Sequence, residues 1–265
     1  MNRIDRLREL EEKIRQLEAD GDVLGEVSFL KEAVELAKEQ YGIGSDRHIE
    51  LQSEYGGLLK YIGKPEEAVK QLSEVKELLK ISGDRSNYIT ALVNLAGAYR
   101  FAGNLEKSET LYLEARELLD KKDYVYASIC NNLGILYQDQ KRWEEAERLH
   151  LESRELLKED PAYRGEYITT LGNLAAVYLA WGKYERSEKL MIEAEEEVRA
   201  AGLTEQTLYA SLLNQKASLY YRMGRPSEAI EIFRQAYGIC ERKLGRSSEA
   251  CVNIEKNIQF IETGL

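Results

Sequence analysis

The chain has 265 residues, of which 43% are hydrophobic and 32% charged, and its net charge at pH 7 is −10. These proportions are ordinary for a soluble helical protein. The acidic balance argues against a general nucleic-acid-binding protein, whose affinity depends on lysine and arginine at phosphates. No apolar run approaches the roughly 18 residues that span a bilayer, and the N-terminal residues lack the apolar segment of a secretory signal. We therefore expect neither nucleic acid nor a membrane as partner.

Cysteine and proline usage points to a reduced helical protein. Cys130, Cys240 and Cys251 are odd in number and have no CxxC spacing, so the sequence predicts no disulfide framework. Only 3 prolines occur in the chain, which is typical of a protein that is nearly all helix. The sequence therefore predicts a cytoplasmic, all-α protein without a cofactor or a metal.

A turn residue, usually glycine, recurs along the chain at intervals of 38 to 42 residues. The turn positions are Gly21, Gly63, Gly103, Lys141, Gly182, Gly224 and Gly264. Four residues before each lies a large apolar side chain: Leu17, Leu59, Tyr99, Tyr137, Tyr178, Tyr220 and Phe260. Such periodicity predicts an array of helical repeats, in which each unit packs mainly against its neighbours.

Small residues flank the predicted turns on both sides. Those before the turn are Gly56, Ala96, Gly134, Ala175 and Ala217. Those after it are Ala68, Ser108, Ala146, Ser187 and Ala229. A large ring on one helix fills space only where the facing helix presents a small side chain. These columns therefore predict two closely packed helices in each repeat.

In chain order, the pattern predicts six helix pairs and a capping helix within a single domain, residues 1–265. The pairs cover about residues 2–41, 45–82, 86–121, 124–159, 164–201 and 205–243, and the capping helix about 246–262. The first pair departs from the pattern, because charged Lys13 and Glu26 stand in columns that later repeats keep apolar or small. A coiled-coil arm is the weaker interpretation of this N-terminal segment, since it has fewer than about three clean heptads.

These columns resemble the tetratricopeptide repeat. The family's Leu-Gly-x-x-Tyr core appears as Leu133-Gly134-x-x-Tyr137, and with alanine as Leu95-Ala96-x-x-Tyr99 and Leu174-Ala175-x-x-Tyr178. The period exceeds the family's usual length of about 34 residues and is similar to the variant in kinesin light chains and many bacterial repeat proteins. The resemblance implies an all-α, right-handed superhelical solenoid whose concave groove binds a protein or peptide.

A second set of columns marks the first helix of each middle repeat. A hydroxyl residue is followed four positions later by an amide residue, in the pairs Thr90 and Asn94, Ser128 and Asn132, Thr169 and Asn173, and Ser211 and Gln215. Residues four apart share one helix face, and this face lies about 160° from the packing residues. We expect it to line the groove, where asparagine can bond an extended peptide. The alternative is that these side chains cap or bridge neighbouring helices.

Further candidates for peptide binding follow along the same stripe. They are Ile135, Ala176, Ser218 and Arg222. The family's lysine, asparagine and arginine clamp for a C-terminal carboxylate is poorly matched, because the stripe carries no lysine in the middle repeats. The second repeat places Glu50 and Glu54 in the corresponding columns. One end of the groove is therefore predicted to be acidic and to prefer a basic residue in the ligand.

Other side chains that could suggest chemistry have simpler interpretations. The column Tyr88, Tyr126, Tyr167 and Tyr209 could suggest base stacking, but its helical angle turns it toward the preceding helix and favours packing. His48 begins a helix after Ser45, and His150 is expected to be a partly buried packing residue. Cys130 is expected to be a buried thiol.

The leading hypothesis is a non-catalytic scaffold that binds a peptide or protein segment in its groove. The sequence contains no HExxH, GxSxG or P-loop motif and no metal-spaced Cys/His cluster, so an enzyme is not predicted. A regulatory or assembly subunit that self-associates as a homo-oligomer is the second hypothesis. A bacterial peptide-sensing regulator is the third, from the family resemblance.

Overall fold

The computed structural model describes residues 3–246 and 248–263, apart from the side chains of residues 3–5 and 20. Every regular element in those ranges is a helix. None of the described helices combines the length and apolarity needed to cross a bilayer. The last predicted turn residue, Gly264, lies outside the described residues.

The chain divides into two compact units, Met1–Asp120 and Lys121–Leu265. The helices of the first unit are α1 (Arg3–Asp20), α2 (Val23–Tyr41), α3 (Asp46–Leu59), α4 (Pro65–Ser82), α5 (Arg85–Phe101) and α6 (Leu105–Glu117). Those of the second unit are α7 (Tyr124–Asp139), α8 (Trp143–Leu157), α9 (Arg164–Ala180), α10 (Tyr184–Ala200), α11 (Thr207–Arg222), α12 (Pro226–Leu244) and α13 (Glu249–Thr263). Short 3-10 turns at Lys60–Ile62 and Pro161–Tyr163 complete them.

The order of helices confirms the all-α solenoid with six helix pairs and a final single helix. Within each unit every helix packs on the next, and the first helices of successive pairs also touch, as α3 does α5 and α7 does α9. That second contact creates a surface shared by adjacent repeats. A single domain across both units and a right-handed superhelix remain predictions.

The turn column has one backbone conformation. The described turn glycines have φ between +71° at Gly21 and +79° at Gly182, which is the left-handed region where glycine carries no steric penalty. Lys141 takes the same place with φ of +60°, and no other non-glycine residue of the described ranges has a positive φ. The turn therefore forces lysine into a conformation that is costly for a residue with a Cβ.

Lys141→Gly is expected to stabilise the protein by about 0.5–1 kcal/mol, because it removes this left-handed strain at the price of a more flexible unfolded chain. Urea unfolding at equilibrium measures the difference. Lys141→Ala is the control, since it retains the Cβ and should bring no gain. Equal stability of the glycine and alanine variants would contradict the strain.

Small residues hold the two helices of a pair close together, as the sequence predicts. Ser108 and Ser187 are fully buried, and their hydroxyls donate to the carbonyls of Ala96 and Ala175, both at 2.8 Å. These bonds join the second helix of the pair to the first. A Cβ on Gly134 would lie 2.6 Å from the ring of His150, which is too close for any real contact. The fit of small against large therefore fixes the helix spacing.

Gly134→Ala is expected to cost about 1–3 kcal/mol, because the added methyl overlaps the fully buried ring of His150. Gly57→Ala is the matched control on α3, where a Cβ would meet nothing within 4 Å. It should stabilise by about 0.5–1 kcal/mol through helix propensity. Thermal unfolding of both variants measures the contrast. Similar shifts for both would show that helix spacing is adjustable.

The ends of the array differ in part from expectation. Glu26 lies in its small-residue column almost fully buried, and burial with the nearby Glu18 carboxylate raises its pKa. The final helix α13 buries Cys251 and Ile254, as predicted for a capping helix. Phe260 does not pack like the other large residues of its column. It is 51% exposed and lies edge-to-face with Tyr221.

Candidate functional site

Three clefts collect most of the predicted groove residues. The acidic cleft belongs to the first unit and has a volume of about 580 Å³. The central cleft, about 210 Å³, and the terminal cleft, about 460 Å³, belong to the second unit. Ala176, Ser211, Gln215 and Glu54 line none of these three clefts.

The acidic cleft lies where α3 and α5 meet and contains the predicted residues Glu50, Thr90 and Asn94. Asp46 and Asp84 also line it, and no lysine or arginine does. Its other lining residues are Gly44, Ile49, Ser53, Leu79, Ser82, Asn87 and Ala91. This cleft is therefore acidic, and its place at one end of a binding groove remains a prediction.

The carboxylates of this end differ in their availability. Glu50 is exposed but accepts from Arg47 at 2.5 Å, and Arg47 also holds Glu11 at 2.6 Å. Asp84 caps α5 by accepting from the backbone of Asn87, and these bonds lower the pKa of Asp84. Glu54 stands outside the cleft, half-buried, and burial raises its pKa. A ligand cation would therefore have to compete with Arg47 for Glu50.

The central cleft forms between α7 and α9 and brings together five predicted residues from two successive repeats. They are Ser128, Asn132, Ile135, Thr169 and Asn173. Sequence reasoning missed the four other residues that line it, Tyr124, Asn131, Leu157 and Glu166. Glu166 could have been found, because Glu166, Thr169 and Asn173 follow the i, i+3, i+7 spacing of one helix face.

Two adjacent asparagines in this region have different roles. Both polar atoms of the Asn131 amide bond within the protein. Its Nδ2 donates to the hydroxyl of Thr170 at 2.7 Å, and its Oδ1 lies 2.9 Å from the Nδ1 of His150. Asn131 bridges three helices. Asn132 makes one local bond, from its Nδ2 to the carbonyl of Ser128 at 3.0 Å, and its Oδ1 bonds to none of the described residues. Asn173 and Asn94 make no side-chain hydrogen bond within the described residues.

One predicted residue, Gln215, reaches the neighbouring helix without bonding to it. Gln215 extends toward α9, where its Oε1 would lie 3.3 Å from a Cβ on Gly172, and this oxygen is buried without a partner. The longer side chain reaches a neighbour that asparagine cannot. The hydroxyls of Thr90 and Thr169 also bond locally, to the carbonyls of Ser86 and Gly165. They retain only acceptor capacity for a ligand.

The terminal cleft lies between α11, α12 and α13. Ser218 and Arg222 are its predicted residues, and Tyr221, Phe233, Asn257, Phe260 and Ile261 complete its lining. Arg222 is exposed and has no ion-pair partner among the described residues. The charge of this cleft is therefore opposite to that of the acidic cleft.

Three members of the tyrosine column make hydrogen bonds that the sequence does not predict. The hydroxyls of Tyr88, Tyr126 and Tyr167 donate to glutamates on the second helix of their own repeat, at 2.9, 3.0 and 2.8 Å. The acceptors are Glu114, Glu152 and Glu193. The predicted orientation of these rings toward the preceding helix is therefore incomplete, because their hydroxyls bond to the following helix. The ring positions remain those of packing residues, because their polar ends are already bonded.

His150 is fully buried, where partial burial was predicted. Because Asn131 donates to Thr170 with its nitrogen, its oxygen faces His150, and the Nδ1–H of the ring is the donor. Nε2 then remains buried without a partner. Burial lowers the pKa of His150 to about 4, so the ring is neutral at pH 7. The two described histidines are both buried, and Cys130 is a buried thiol as predicted.

Acidification is expected to destabilise the protein through His150. The folded pKa of about 4 lies below the ordinary value of 6.5, so the unfolded chain binds more protons as pH falls below 6.5. The loss should grow toward about 3 kcal/mol below pH 4. Urea unfolding between pH 7 and 5 of the wild type and His150→Met measures it. An unchanged pH dependence in the variant would contradict the assignment.

Comparisons with known proteins agree with this architecture. The tetratricopeptide repeat family profile matches residues 47–121, 87–159, 125–199 and 166–242. Repeats of a putative kinesin light chain from Podospora anserina align with a TM-score of 0.61 at 18% identity, over 76% of this chain and 99% of that chain. The quorum sensor NprR from B. thuringiensis aligns with a TM-score of 0.66 at 15% identity, over 98% and 77%.

A third solved structure is a Rap protein complexed with Competence and Sporulation Factor. It aligns with a TM-score of 0.65 at 12% identity, over 95% of this chain and 73% of that chain. At these identities the likeness concerns the fold alone. A search of curated protein sequences finds no match for the chain.

Proposed function

Because the chain belongs to the tetratricopeptide repeat family, we propose that it is a non-catalytic scaffold that binds a peptide or protein segment along the first helices of its repeats. The central cleft is the observation that carries this proposal. Asn132 and Asn173 come from successive repeats, line one cleft and retain unused hydrogen-bonding groups. Unused amide groups at a half-buried position suit the N–H and C=O groups of an extended chain.

Rigidity of the scaffold favours such binding. Asn132 and Asn173 stand on helices that are anchored by buried residues, including the adjacent Leu133 and Leu174. The binding groups are therefore positioned before the ligand arrives, and the cost of ordering falls mainly on the ligand. The same logic applies in the acidic cleft to Thr90 and Asn94, whose helix buries Leu95.

Charge gives the ligand a preferred chemistry at two of the clefts. In the acidic cleft, Asp46, Glu50 and Asp84 favour a basic residue of the ligand. In the terminal cleft, unpaired Arg222 beside the exposed Phe260 favours an acidic or apolar one. The two preferences are separate proposals, one for each unit.

Self-association is a second candidate, favoured by exposed apolar residues away from the three clefts. Ile43 is 69% exposed and Ile81 is 84% exposed. Both line a cleft of about 630 Å³ in the first unit, together with Lys38, Lys70 and Glu77. Such a surface could match a second copy of the chain. Light scattering of the wild type and Ile81→Ser separates this candidate from monomeric peptide binding.

A peptide-sensing regulator is a third candidate. Two of the proteins with a similar fold are a quorum sensor and a Rap protein solved with Competence and Sporulation Factor. The identities of 15% and 12% are too low to transfer a ligand. What supports this candidate in the chain itself is the same pair of asparagines, and it shares the test that follows.

The double variant Asn132→Ala/Asn173→Ala is expected to weaken peptide binding roughly tenfold or more without lowering the melting temperature, because neither amide joins two helices. Isothermal titration with a peptide selected on the wild type measures the affinity. Asn253→Ala on α13 is the control, since this exposed residue lines none of the three clefts. Parallel loss of binding and melting temperature would instead assign these asparagines to helix bridging.

A further inference from the structure

The central cleft offers an incoming ligand more hydrogen-bond acceptors than donors. Asn132 uses its Nδ2 on the carbonyl of Ser128 and leaves its Oδ1 open. Thr169 donates its hydroxyl proton to the carbonyl of Gly165 at 2.9 Å and keeps only lone pairs. Thr169 therefore has no proton left for a ligand, whereas Asn132 keeps one N–H beside its open Oδ1.

The other amides of the cleft do not reverse this balance. Asn131 already bonds to Thr170 through its nitrogen and to His150 through its oxygen. Asn173 and the hydroxyl of Ser128, which make no side-chain hydrogen bond within the described residues, bring donors and acceptors alike. Because the Glu166 carboxylate and the Thr169 hydroxyl can only accept, the open acceptors of the cleft outnumber its open donors and favour a ligand group that donates.

A negative charge stands at the same place without a cation to balance it. Glu166 lines the cleft and is contacted by the hydroxyl of Tyr124 at 3.4 Å. It has no ion-pair partner among the described residues, and no lysine or arginine lines the cleft. The nearby arginine of its own helix, Arg164, is engaged by Glu197 at 2.8 Å.

The walls suit an elongated side chain with a polar head. Ile135 and Leu157 contribute apolar surface, and the ring of Tyr124 is held by stacking on Tyr163, with centroids 4.5 Å apart. A volume of about 210 Å³ accommodates one long side chain and excludes a folded ligand. Lysine and arginine combine an apolar stem with a head that only donates.

Building on the proposed scaffold function, we propose that the central cleft receives a lysine or arginine side chain of the bound peptide. The cationic head donates to the Glu166 carboxylate and to the Oδ1 of Asn132, while the stem lies along Ile135 and Leu157. Charge-assisted bonds of this kind are the stronger class of hydrogen bond. Glu166 thereby selects one residue of the ligand, and Asn173 is left to bond the peptide backbone.

The test begins with a randomised heptapeptide library displayed on phage and selected on the full chain. We expect the enriched peptides to share a lysine or arginine. One enriched peptide is then synthesised in two forms, with the basic residue and with its uncharged counterpart, norleucine for lysine or citrulline for arginine. Fluorescence anisotropy on the wild type should show roughly tenfold tighter binding of the charged form.

Three variants test whether the preference for the charged peptide depends on Glu166. Glu166→Gln should abolish the tenfold difference between the two peptides, and Glu166→Asp should retain part of it. Glu196→Gln is the matched control, because it makes the same change of charge at an exposed residue of α10 that lines none of the three clefts. Melting temperatures of all three variants establish that each is folded.

The outcomes separate this inference from the function on which it rests. Enriched peptides without a basic residue would overturn the cation site and leave the scaffold function intact. So would a charge preference that survives Glu166→Gln. Failure of every peptide to enrich would count against both.

Discussion

The close approach of the two helices in each pair is the constraint on which the rest of the structure depends. It requires a small residue wherever a large one faces it, as at Gly134 beneath the ring of His150. Serine meets the same requirement and adds a buried bond, from Ser187 to the carbonyl of Ala175. Because this fit consumes one face of each first helix, the opposite face is available for other purposes.

The division between faces is sharp enough to separate adjacent residues. Asn131 looks inward and joins Thr170 to His150, whereas Asn132 lines the central cleft with its oxygen unbonded. One residue along a helix is a rotation of about 100°. The proposed binding surface is thus the helix face that packing leaves free. Its chemistry depends on the residues that the repeats carry on that face.

The sequence predicts the helices well because the same packing in every repeat requires small and large residues at regularly spaced positions. The columns of small and large residues locate the turn inside each helix pair of the described ranges, including the one at Lys141 that lacks glycine. How far a side chain reaches and which partner it meets do not follow from such columns. Gln215 shares its column with Asn132 and Asn173, but its extra methylene lets it reach Gly172. The column pattern does not reveal Glu166, because the equivalent positions of the other middle repeats carry no charge. Only its i, i+3, i+7 spacing from Thr169 and Asn173 indicates that it shares their helix face.

The side-chain amides themselves provide the most direct measurement of the central claim. In an ¹⁵N-labelled sample, addition of a selected peptide should shift the Nδ2 resonances of Asn173, whose side chain makes no hydrogen bond within the described part of the chain. Those of Asn131, already bonded to Thr170 at 2.7 Å, should stay in place. Shifts at Asn131 with none at Asn173 would contradict the account, because the peptide would then act on the packing face and not in the central cleft.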